Sequence, residues 1–590
     1  MNKSAVTHHA YDIFCYPLDE DRLRISLQTG KDINSVSLVW CDPFSDRLPK
    51  DEPMSKSKKI NITKKKETQS HFLWNITINP PFKRCRYYFE LCCGEDFFLF
   101  FEDGVYPASE NPDTHIQFIF PWMNKADICT VPAWAEKTIW YQIFPARFAH
   151  GENPAFNQKI LSWASPDTPV KNEERYGGNL MGITEHLDYL HNLGITGLYL
   201  NPVNLALSQH KYDTSDYMQI DPEFGTNADM KELVEKAHEY GMRVMLDGVF
   251  NHTGWNFFAW QDILKNREKS PYSDWYCIND FNFASVPADS AKQGKFFSFA
   301  FTDKMPKLNT NNPEVRAYII NVCKAWVQNY CIDAIRLDVA NELSHVLCKE
   351  LRAAMKSLRP DFFIVGEVWN HAMPWLRGDE FDSVINYPLR SAIQSFAKDK
   401  TQSSKDLELH LNHCLSLYYE QTERVLLNQL DSHDTPRLAT TAGNNETALQ
   451  ELALLFALPG SVCLYYGTEV LLQGGQDPDC RRCMPWKEID AGNYKTQLSF
   501  IKELIKLRKT NPAMSSFNIR FIHDHKNPRV VQLIKTDEAN KIQIYVILNF
   551  DKKPFILQNE FQGQEILLSQ NCANATVCAG GIGIITKDLC

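Results

Sequence analysis

The stretch IDAIRLDVANELSHVLCKELRAAMKSLRPDFFIVGEVWN, residues 332–370, carries the pattern from which the fold can be predicted. Two short apolar runs, residues 332–338 and 362–367, predict buried strands. Between them, residues 342–358 place apolar side chains at helical spacing. A strand, a helix and another buried strand in series indicate a β/α unit with parallel strands.

The chain contains eight runs of this kind, and helix-length amphipathic segments such as 227–240 and 313–330 follow most of them. The runs are residues 139–145, 197–202, 243–249, 332–338, 362–367, 383–386, 424–430 and 462–466. Eight β/α units in series predict an α/β protein built on a (β/α)8 TIM barrel. The connection after the third run extends from residue 251 to residue 333, a length that predicts an inserted subdomain, which we place at residues 253–310.

Segments rich in β-forming residues flank the barrel on both sides. The N-terminal ones are ISLQT, SVSLVW, HFLWNITI, RYYFELCC, FFLFF and HIQFIF, and the C-terminal ones are FNIRFIH, RVVQLIK, IQIYVILNF, GQEILLS and GGIGIIT. They predict an N-terminal β-sandwich at residues 1–125 and a C-terminal β-sandwich at 506–590, with the catalytic barrel at 126–505. The lysine-rich run KSKKINITKKKE, residues 56–67, is predicted to be a solvated loop.

Composition excludes several classes of protein. The chain has 590 residues, 44% hydrophobic and 23% charged, which is typical of globular proteins and excludes disordered and low-complexity classes. Its formal net charge of −10 makes nucleic acid an unexpected partner. The N-terminus lacks the apolar core of a signal peptide and no run of about 20 apolar residues occurs, so we expect no membrane partner and a cytoplasmic location. The 17 cysteines are then expected to be free thiols.

Acidic side chains end several predicted strands. Asp338 ends the fourth strand, Glu367 the fifth and Asp434 follows the seventh, and the active site of a TIM barrel lies at the carboxyl ends of its strands. Carboxylates at one barrel mouth serve either divalent metals or acid–base chemistry on glycosidic bonds. The first strand, WYQIFP, lacks the histidines that a two-metal hydrolase of this fold would place there. The sequence therefore favours acid–base chemistry over metal catalysis.

The motifs FPARF, HKYDTSDY, DGVFNH, IRLDVANE, GEVWN, SHDTPR and LYYGTEV occur in this order between residues 140 and 486. Together they resemble the motif set of the α-amylase superfamily, glycoside hydrolase family 13. MPKLN at residues 305–309, the ANE that follows Asp338 and GGQDPDCRR at residues 474–482 resemble the subfamily of neopullulanases, cyclomaltodextrinases and maltogenic amylases. In that subfamily the N-terminal domain is starch-binding-like and often mediates dimerisation, so the resemblance implies a homodimer.

The resemblance implies catalytic roles for three acids. Asp338 matches the nucleophile of a retaining mechanism, which forms a covalent glycosyl-enzyme intermediate. Glu367 matches the general acid and base, which must carry a proton in the first step. Asp434 matches a third acid that binds sugar hydroxyls and favours the distorted ring. Arg336, two residues before Asp338 and so on the same face of the strand, is expected to hold the nucleophile in place.

The resemblance also implies a set of substrate-binding residues. His252 and His433 match histidines that bind hydroxyls of the sugar at the cleavage point, Tyr212 matches an aromatic platform under it, and Trp369 is expected on the leaving-group side. His210 and Asp247 are expected to support these groups. Asp477 and Arg481 match residues that bind the next sugar on the non-reducing side.

No cofactor is expected to be required. Many relatives bind calcium through an Asn- and Asp-rich loop and a GGD motif, but this chain has FAHGENPAFN and YGGN, so Glu152, Asn153 and Asn179 provide less charge than calcium favours. Cys480 and Cys483 have the spacing of half a zinc site, and no second pair with suitable spacing follows. Calcium therefore stays open as a ligand, and the catalytic site is expected to contain no metal.

The function implied is hydrolysis of α-1,4 glucosidic bonds in cyclodextrins, pullulan and maltooligosaccharides, with α-1,6 cleavage and transglycosylation left open. Two alternatives use the same barrel. A transferase or isomerase would use the same acids and exclude water, whereas a non-catalytic scaffold would be expected to have lost the acids. MPKLN favours the hydrolase, and the presence of all three acids disfavours the scaffold.

Overall fold

The structure is a computed structural model, and it describes residues 1–52, 56–153, 159–557, 564–573 and 575–588. Residues 154–157 of the loop FAHGENPAFN lie outside this part of the chain. The chain divides into two compact units. One comprises Met1–Thr130, Met373–Gly378 and Lys405–Glu423, and the other comprises Val131–Ala372, Asp379–Ser404 and Arg424–Cys590. No helix among the described residues is long and apolar enough to cross a membrane.

The N-terminal region forms two antiparallel sheets, with strand orders β1-β2-β6-β5 and β4-β3-β7-β8-β9, and β10 pairs with β7. The strands are β1 Cys15–Pro17, β2 Leu23–Thr29, β3 Ser35–Cys41, β4 Lys58–Asn61, β5 Lys64–Glu67, β6 Phe72–Ile78, β7 Cys85–Cys93, β8 Asp96–Phe101, β9 Gly104–Pro107 and β10 Phe118–Phe120. Alternate side chains of β2 and β7 are buried, and they contribute Leu23, Ile25, Tyr87 and Phe89 to one hydrophobic cluster. Period-two burial of this kind is what the alternating sequence predicted.

The prediction of a solvated loop at residues 56–67 was wrong, because most of this run forms β4 and β5. Each strand lies at the edge of its sheet, where β4 pairs only with β3 and β5 only with β6. The residues of β4 are all exposed. Lysine-rich edge strands are a common protection against further strand pairing, which explains how so charged a run can be β-structure.

The barrel contains eight parallel strands in the order β18-β17-β16-β15-β12-β11-β20-β19. They are β11 Ile139–Ile143, β12 Gly197–Leu200, β15 Arg243–Gly248, β16 Ala334–Leu337, β17 Phe363–Gly366, β18 Ser383–Val384, β19 Leu427–Asn428 and β20 Ser461–Tyr465. A parallel bridge between Ile385 and Leu427 connects the two ends of this sheet. The predicted TIM barrel is therefore confirmed.

Helices follow the strands as the periodicity predicted. They are α1 Pro145–Phe148, α2 Leu180–Glu185, α3 Leu187–Leu193, α4 Asn227–Glu239, α5 Phe258–Asn266, α6 Pro313–Tyr330, α7 His345–Leu358, α8 Tyr387–Lys398, α9 Ser404–Cys414, α10 Glu420–Glu423, α11 Leu438–Ala442, α12 Asn445–Phe456, α13 Trp486–Asp490 and α14 Lys495–Thr510. Local sequence sets several of their starts. Thr226 and Asp229 form a capping box on α4, and Asn312 caps α6, which has Pro313 in its first turn.

Two further β-structures accompany the barrel. A hairpin of β13 Asn204–Ala206 and β14 Thr214–Ile220 follows the second barrel strand. The C-terminal antiparallel region forms one six-stranded sheet of β21 Ile519–Ile522, β22 Val530–Asp537, β23 Ile542–Asn549, β24 Phe555–Ile556, β25 Glu565–Ala573 and β26 Thr576–Asp588. All five predicted C-terminal strands are present, although the charged turns between them gave no indication of the short β24.

The long connection after β15 contains α5 and a set of isolated β-bridges. His252 pairs with Lys307, and Tyr276 pairs with Leu308. These bridges bring the MPKLN motif back to the residues that directly follow β15. Although the connection is long, its MPKLN motif therefore lies beside the barrel mouth.

Candidate active site

The carboxyl ends of three neighbouring strands bring together an arginine and three acids. Asp247 in β15 lies in register with Arg336 in β16, and Arg336 lies in register with Val365 in β17. Asp338 and Glu367 directly follow these last two strands, and the backbone N–H of each donates to a carbonyl of the preceding strand. Since side chains two residues apart share a strand face, Arg336 and Asp338 point the same way.

The guanidinium of Arg336 is the centre of this group and is fully buried. Its Nη1 donates to Asp247 Oδ1 at 2.7 Å and to Asp338 Oδ1 at 2.8 Å. Its Nη2 lies 2.8 Å from Glu367 Oε2, although the angle there is too poor for a hydrogen bond. One cation therefore contacts all three carboxyl groups, with its well-formed hydrogen bonds on Asp247 and Asp338.

The charges in this group do not balance. Three ionised carboxylates around one guanidinium would leave two uncompensated negative charges in a buried site. Burial raises the pKa of Asp338 well above its ordinary value, while the charge of Arg336 lowers it and that of Glu367 raises it again. Burial likewise raises the pKa of Asp247 to about 6. Burial therefore favours protonation within this group of carboxyls, and the charge of Arg336 opposes it.

Asp434 lies closer to the solvent than the other acids, with 30% of its side chain exposed. Its Oδ2 is 3.1 Å from His433 Nε2 and its Oδ1 is 3.6 Å from Arg481 Nη2. Arg481 also binds Asp477 at 2.8 Å and donates from Nε to the carbonyl of His433. The structure thus brings Asp434, Asp477 and Arg481 together on one side of the cleft.

The histidines of the site are uncharged. Burial lowers the pKa of His210 to about 3 and that of His252 to about 4, and it lowers the pKa of His433 well below its ordinary value. The ring of Tyr212 lies parallel to that of His433, with centroids 5.4 Å apart, and its hydroxyl contacts His433 Nε2 at 2.5 Å. Neutral imidazoles beside a tyrosine can donate hydrogen bonds to hydroxyl groups without adding charge.

Trp369 is 47% exposed beside Glu367, and its indole Nε1 donates to Glu367 Oε1 at 3.2 Å. Its ring stacks on Tyr387 with centroids 3.8 Å apart and an interplanar angle of 9°. The sequence analysis missed Tyr387, which is the first residue of α8. Its position directly after the short sixth strand could have indicated a place at the barrel mouth.

Two more residues of the site, Lys307 and Gln142, were given no individual role from the sequence. Lys307 Nζ donates to Asn251 Oδ1 and, at 2.9 Å, to Glu342 Oε2. The MPKLN motif is therefore tied to the ends of two barrel strands, β15 and β16. Gln142, in the first barrel strand, lies beneath His433 with its Nε2 2.9 Å from the Nδ1 of that ring. The sequence did contain an indication of this role, namely a glutamine within an otherwise apolar buried strand. A buried polar side chain needs a hydrogen-bond partner.

In the position of a calcium loop, the described residues Asn153 and Asn179 direct amide donors at backbone carbonyl oxygens. Asn179 is buried; its Nδ2 donates to the carbonyl of Gly151 at 2.7 Å, and its Oδ1 accepts from the N–H groups of Gly151 and Gly182. Asn153 Nδ2 donates to the carbonyls of Pro222 and Glu223, both at 3.0 Å. Calcium is bound by oxygen atoms such as these carbonyls, and here the carbonyls already accept hydrogen bonds from amide groups.

We predict that activity and thermal stability do not depend on calcium. Treatment with EDTA, followed by addition of CaCl2, is expected to leave the rate of maltotriose hydrolysis and the melting temperature unchanged. As a matched control, Asn179→Asp should lower the melting temperature, because it removes the donor to Gly151 and buries a charge. A melting temperature of the unmodified protein that rises with calcium would contradict the prediction.

Cys480 and Cys483 are both buried free thiols. Cys480 Sγ lies 3.1 Å from the carbonyl of His433, so the first thiol supports the backbone of the site. In the part of the chain that the structure describes, no three His, Cys, Asp or Glu side chains are grouped as metal ligands. The pair therefore has a packing explanation in this fold.

Comparison with known proteins gives the same assignment over the whole chain. One family model, described as alpha amylase, catalytic domain, matches residues 142–515, and another, alpha amylase, N-terminal ig-like domain, matches residues 1–124. A cyclomaltodextrinase of Geobacillus thermopakistaniensis is 41% identical over 92% of this chain and 91% of its own length. Neopullulanase 2 of Thermoactinomyces vulgaris is 35% identical over 95% of this chain and 93% of its own. A solved cyclomaltodextrinase structure superposes with a TM-score of 0.87 at 33% identity, covering 100% of this chain and 98% of that one.

Proposed function

The chain belongs to the α-amylase family of glycoside hydrolases, and from that premise we propose that it hydrolyses α-1,4 glucosidic bonds of cyclodextrins, pullulan and maltooligosaccharides with retention of configuration. The observation that carries the proposal is the contact of Asp338 and Glu367 with the two terminal nitrogens of one buried guanidinium, Arg336. Two carboxyl groups held side by side at the end of neighbouring strands are what a double-displacement mechanism needs.

In the first step Asp338 attacks the anomeric carbon of the bound sugar. Glu367 gives its proton to the glycosidic oxygen, so that the bond from that oxygen to the anomeric carbon breaks and the leaving chain departs as an alcohol. The products are an ester between Asp338 and the sugar, and an ionised Glu367. Arg336 assists this step, because its hydrogen bond to Asp338 holds the attacking carboxylate in place.

In the second step Glu367 acts as the base. It takes a proton from a water molecule, the resulting hydroxide attacks the anomeric carbon, and the ester bond to Asp338 breaks. Two inversions give net retention, and Glu367 is protonated again. A sugar hydroxyl in place of water would give transglycosylation by the same proton transfers.

The remaining residues bind and orient the sugar. Asp434 and His433 present oxygen and nitrogen atoms toward hydroxyls of the sugar under attack, and Tyr212 provides the aromatic surface beneath it. His252 contacts the carbonyl of Tyr212 through its Nε2 at 3.1 Å. Asp477 and Arg481 bind the following sugar, while Trp369 packs against the leaving side, with His210 and Asp247 as supporting groups. Neutral histidines suit the binding of sugar hydroxyls, because an uncharged imidazole donates a hydrogen bond without adding a positive charge to the site.

We also propose a cytoplasmic homodimer. The 16 described cysteines are free, which suits a reducing compartment. The N-terminal domain in residues 1–124 is additional to the barrel, and in a dimer it would narrow the partner's cleft. A narrowed cleft favours cyclodextrins and short chains over starch.

One experiment tests substrate and assembly together. The protein is separated by size-exclusion chromatography with light scattering, and each peak is incubated with β-cyclodextrin, pullulan and soluble starch. We expect activity in a peak of twice the mass of one chain, maltose from β-cyclodextrin, panose from pullulan and slower release from starch.

Each alternative gives a different result. Disproportionation of maltooligosaccharides without net hydrolysis would favour a transferase, and no product from any substrate would favour a scaffold. An active monomer that still prefers cyclodextrin would contradict the dimer while leaving the hydrolase intact.

A further inference from the structure

Gln142 is a polar residue in the middle of the apolar strand β11, and it is 1% exposed. Its Nε2 lies 2.9 Å from His433 Nδ1 and 3.3 Å from Asn201 Oδ1. Its Oε1 is buried and has no hydrogen-bond partner in the described part of the chain. A buried oxygen without a hydrogen bond costs free energy, and a methionine of similar size would avoid that cost. The hydrogen bonds of the Gln142 amide nitrogen must therefore offset it.

The direction of the hydrogen bonds around Gln142 follows from the charge on Asp247. A carboxylate accepts hydrogen bonds only, so the hydroxyl of Tyr212, 3.0 Å from Asp247 Oδ2, donates to it. The oxygen of Tyr212 is then left as an acceptor for Asn201 Nδ2 at 3.0 Å and for His433 Nε2. Because Asn201 turns its nitrogen to Tyr212, its oxygen faces Gln142, which must present its own nitrogen to Asn201 and His433.

We propose that Gln142 is a positioning residue that holds His433 in the tautomer with its proton on Nε2, directed at Tyr212 and at Asp434. The amide N–H of Gln142 donates to Nδ1, so Nδ1 keeps a lone pair and the single proton of the neutral ring sits on Nε2. The importance of this tautomer for turnover rests on the function proposed above.

The opposite tautomer would be unfavourable at both ends of the ring. Nδ1–H would point at the N–H of Gln142, and the lone pair of Nε2 would face the oxygens of Tyr212 and Asp434, the latter at 3.1 Å. In the proposed tautomer, His433 instead donates toward Asp434 and toward any sugar hydroxyl bound there. The tautomer therefore decides whether this part of the cleft offers a donor.

The charged and titratable groups that face His433 come from several elements. They are Asp434, Arg481, Arg336, Glu367, His210 and Tyr212. The two guanidinium groups oppose a charge on the ring, and burial lowers the pKa of His433 well below its ordinary value. The ring is therefore neutral in the free protein, which is the condition under which a tautomer can be selected.

Nitrogen NMR of the free protein tests the inference without reference to activity. Histidine is labelled with 15N, and the His433 signals are assigned by their loss in His433→Gln. We expect the Nδ1 of His433 to resonate as an unprotonated nitrogen and Nε2 as a protonated one. A protonated Nδ1 in the unmodified protein would overturn the proposal.

Two substitutions test the effect on turnover. Gln142→Glu is isosteric and accepts Nδ1–H, so the donor at Nε2 exists only while the ring is doubly protonated. We expect kcat/KM to fall at least tenfold and to fall further as pH rises through a new ionisation. Gln142→Met removes the hydrogen bond and should lower kcat/KM with little change in the pH profile.

Gln450→Met is the matched control, because it removes another buried amide that donates only to carbonyls, those of Asn549 and Gly581. Its kcat/KM should stay within about twofold of the unmodified value. A Gln142→Glu variant with an unchanged tautomer and pH profile would contradict the proposal. An unmodified protein with the expected tautomer and no hydrolysis of any glucan would refute the proposed function alone.

Discussion

Replacing Asp338 by Asn should reduce hydrolysis of maltotriose and β-cyclodextrin by about 10⁴-fold or more, since removing the nucleophile of a hydrolase that forms a covalent intermediate costs on the order of 10⁶-fold in kcat. An amide oxygen cannot form the glycosyl ester at a useful rate. The fold should survive, because Arg336 keeps its contacts with Asp247 and Glu367. Steady-state kinetics together with a thermal melt would check both statements, and the melting temperature should be unchanged or slightly higher, since a buried negative charge has been removed.

Asp431→Asn is a suitable control for the loss of a buried acid close to the same rim. Asp431 accepts hydrogen bonds from Thr468 and from the backbone of Leu438, whereas the ion pairs of Arg336 among the described residues are with Asp247, Asp338 and Glu367. We expect that variant to lose stability while it keeps kcat within about tenfold. Near-normal turnover by Asp338→Asn, after slow deamidation back to Asp338 is excluded by mass spectrometry, would refute the assignment of the nucleophile.

The fold could be predicted from the sequence because local patterns and overall architecture agree. Eight buried runs with helices between them permit few arrangements other than a closed parallel barrel, and α6 occupies the predicted residues 313–330. Residues 56–67 were mispredicted because their local pattern and the overall architecture point to different structures. Their charge indicates solvent contact, which an edge strand satisfies as well as a loop does, and only the pairing with β3 and β6 decides between the two.

The site could be predicted in part. Acids at strand ends are visible in the sequence, because the barrel makes every strand end a candidate position, and Asp338 and Glu367 lie where this reasoning placed them. Gln142 was missed because its contact with His433 joins elements that are distant in the chain, and Tyr387 was missed because its stacking on Trp369 depends on how the connection after β17 folds. Lys307 was recognised as part of a motif, but its hydrogen bonds to Asn251 and Glu342 depend on how the long connection folds back.

Glu367→Gln should separate the two steps of the mechanism. With natural glucans we expect a loss of roughly 10²–10⁴-fold, the usual contribution of a general acid, because the amide cannot protonate the leaving oxygen. With α-maltosyl fluoride the first step needs no proton, since fluoride leaves unaided, and the ester on Asp338 should form at close to the unmodified rate. The second step then lacks its base, so the ester should accumulate and appear as a mass increase on the protein.

Azide distinguishes this state from simple damage to the site. It needs no base to attack the ester, so adding it to Glu367→Gln with the fluoride should restore turnover and release α-maltosyl azide with retained configuration. Asp338→Asn should show no mass increase, since it has no carboxylate to esterify, and any azide product that it forms should be the inverted β-anomer, because azide would displace fluoride directly. If azide gave the β-anomer with Glu367→Gln or the α-anomer with Asp338→Asn, the roles assigned to Asp338 and Glu367 would be wrong. The contact of both acids with Arg336 would then have to be explained by substrate binding rather than by double displacement.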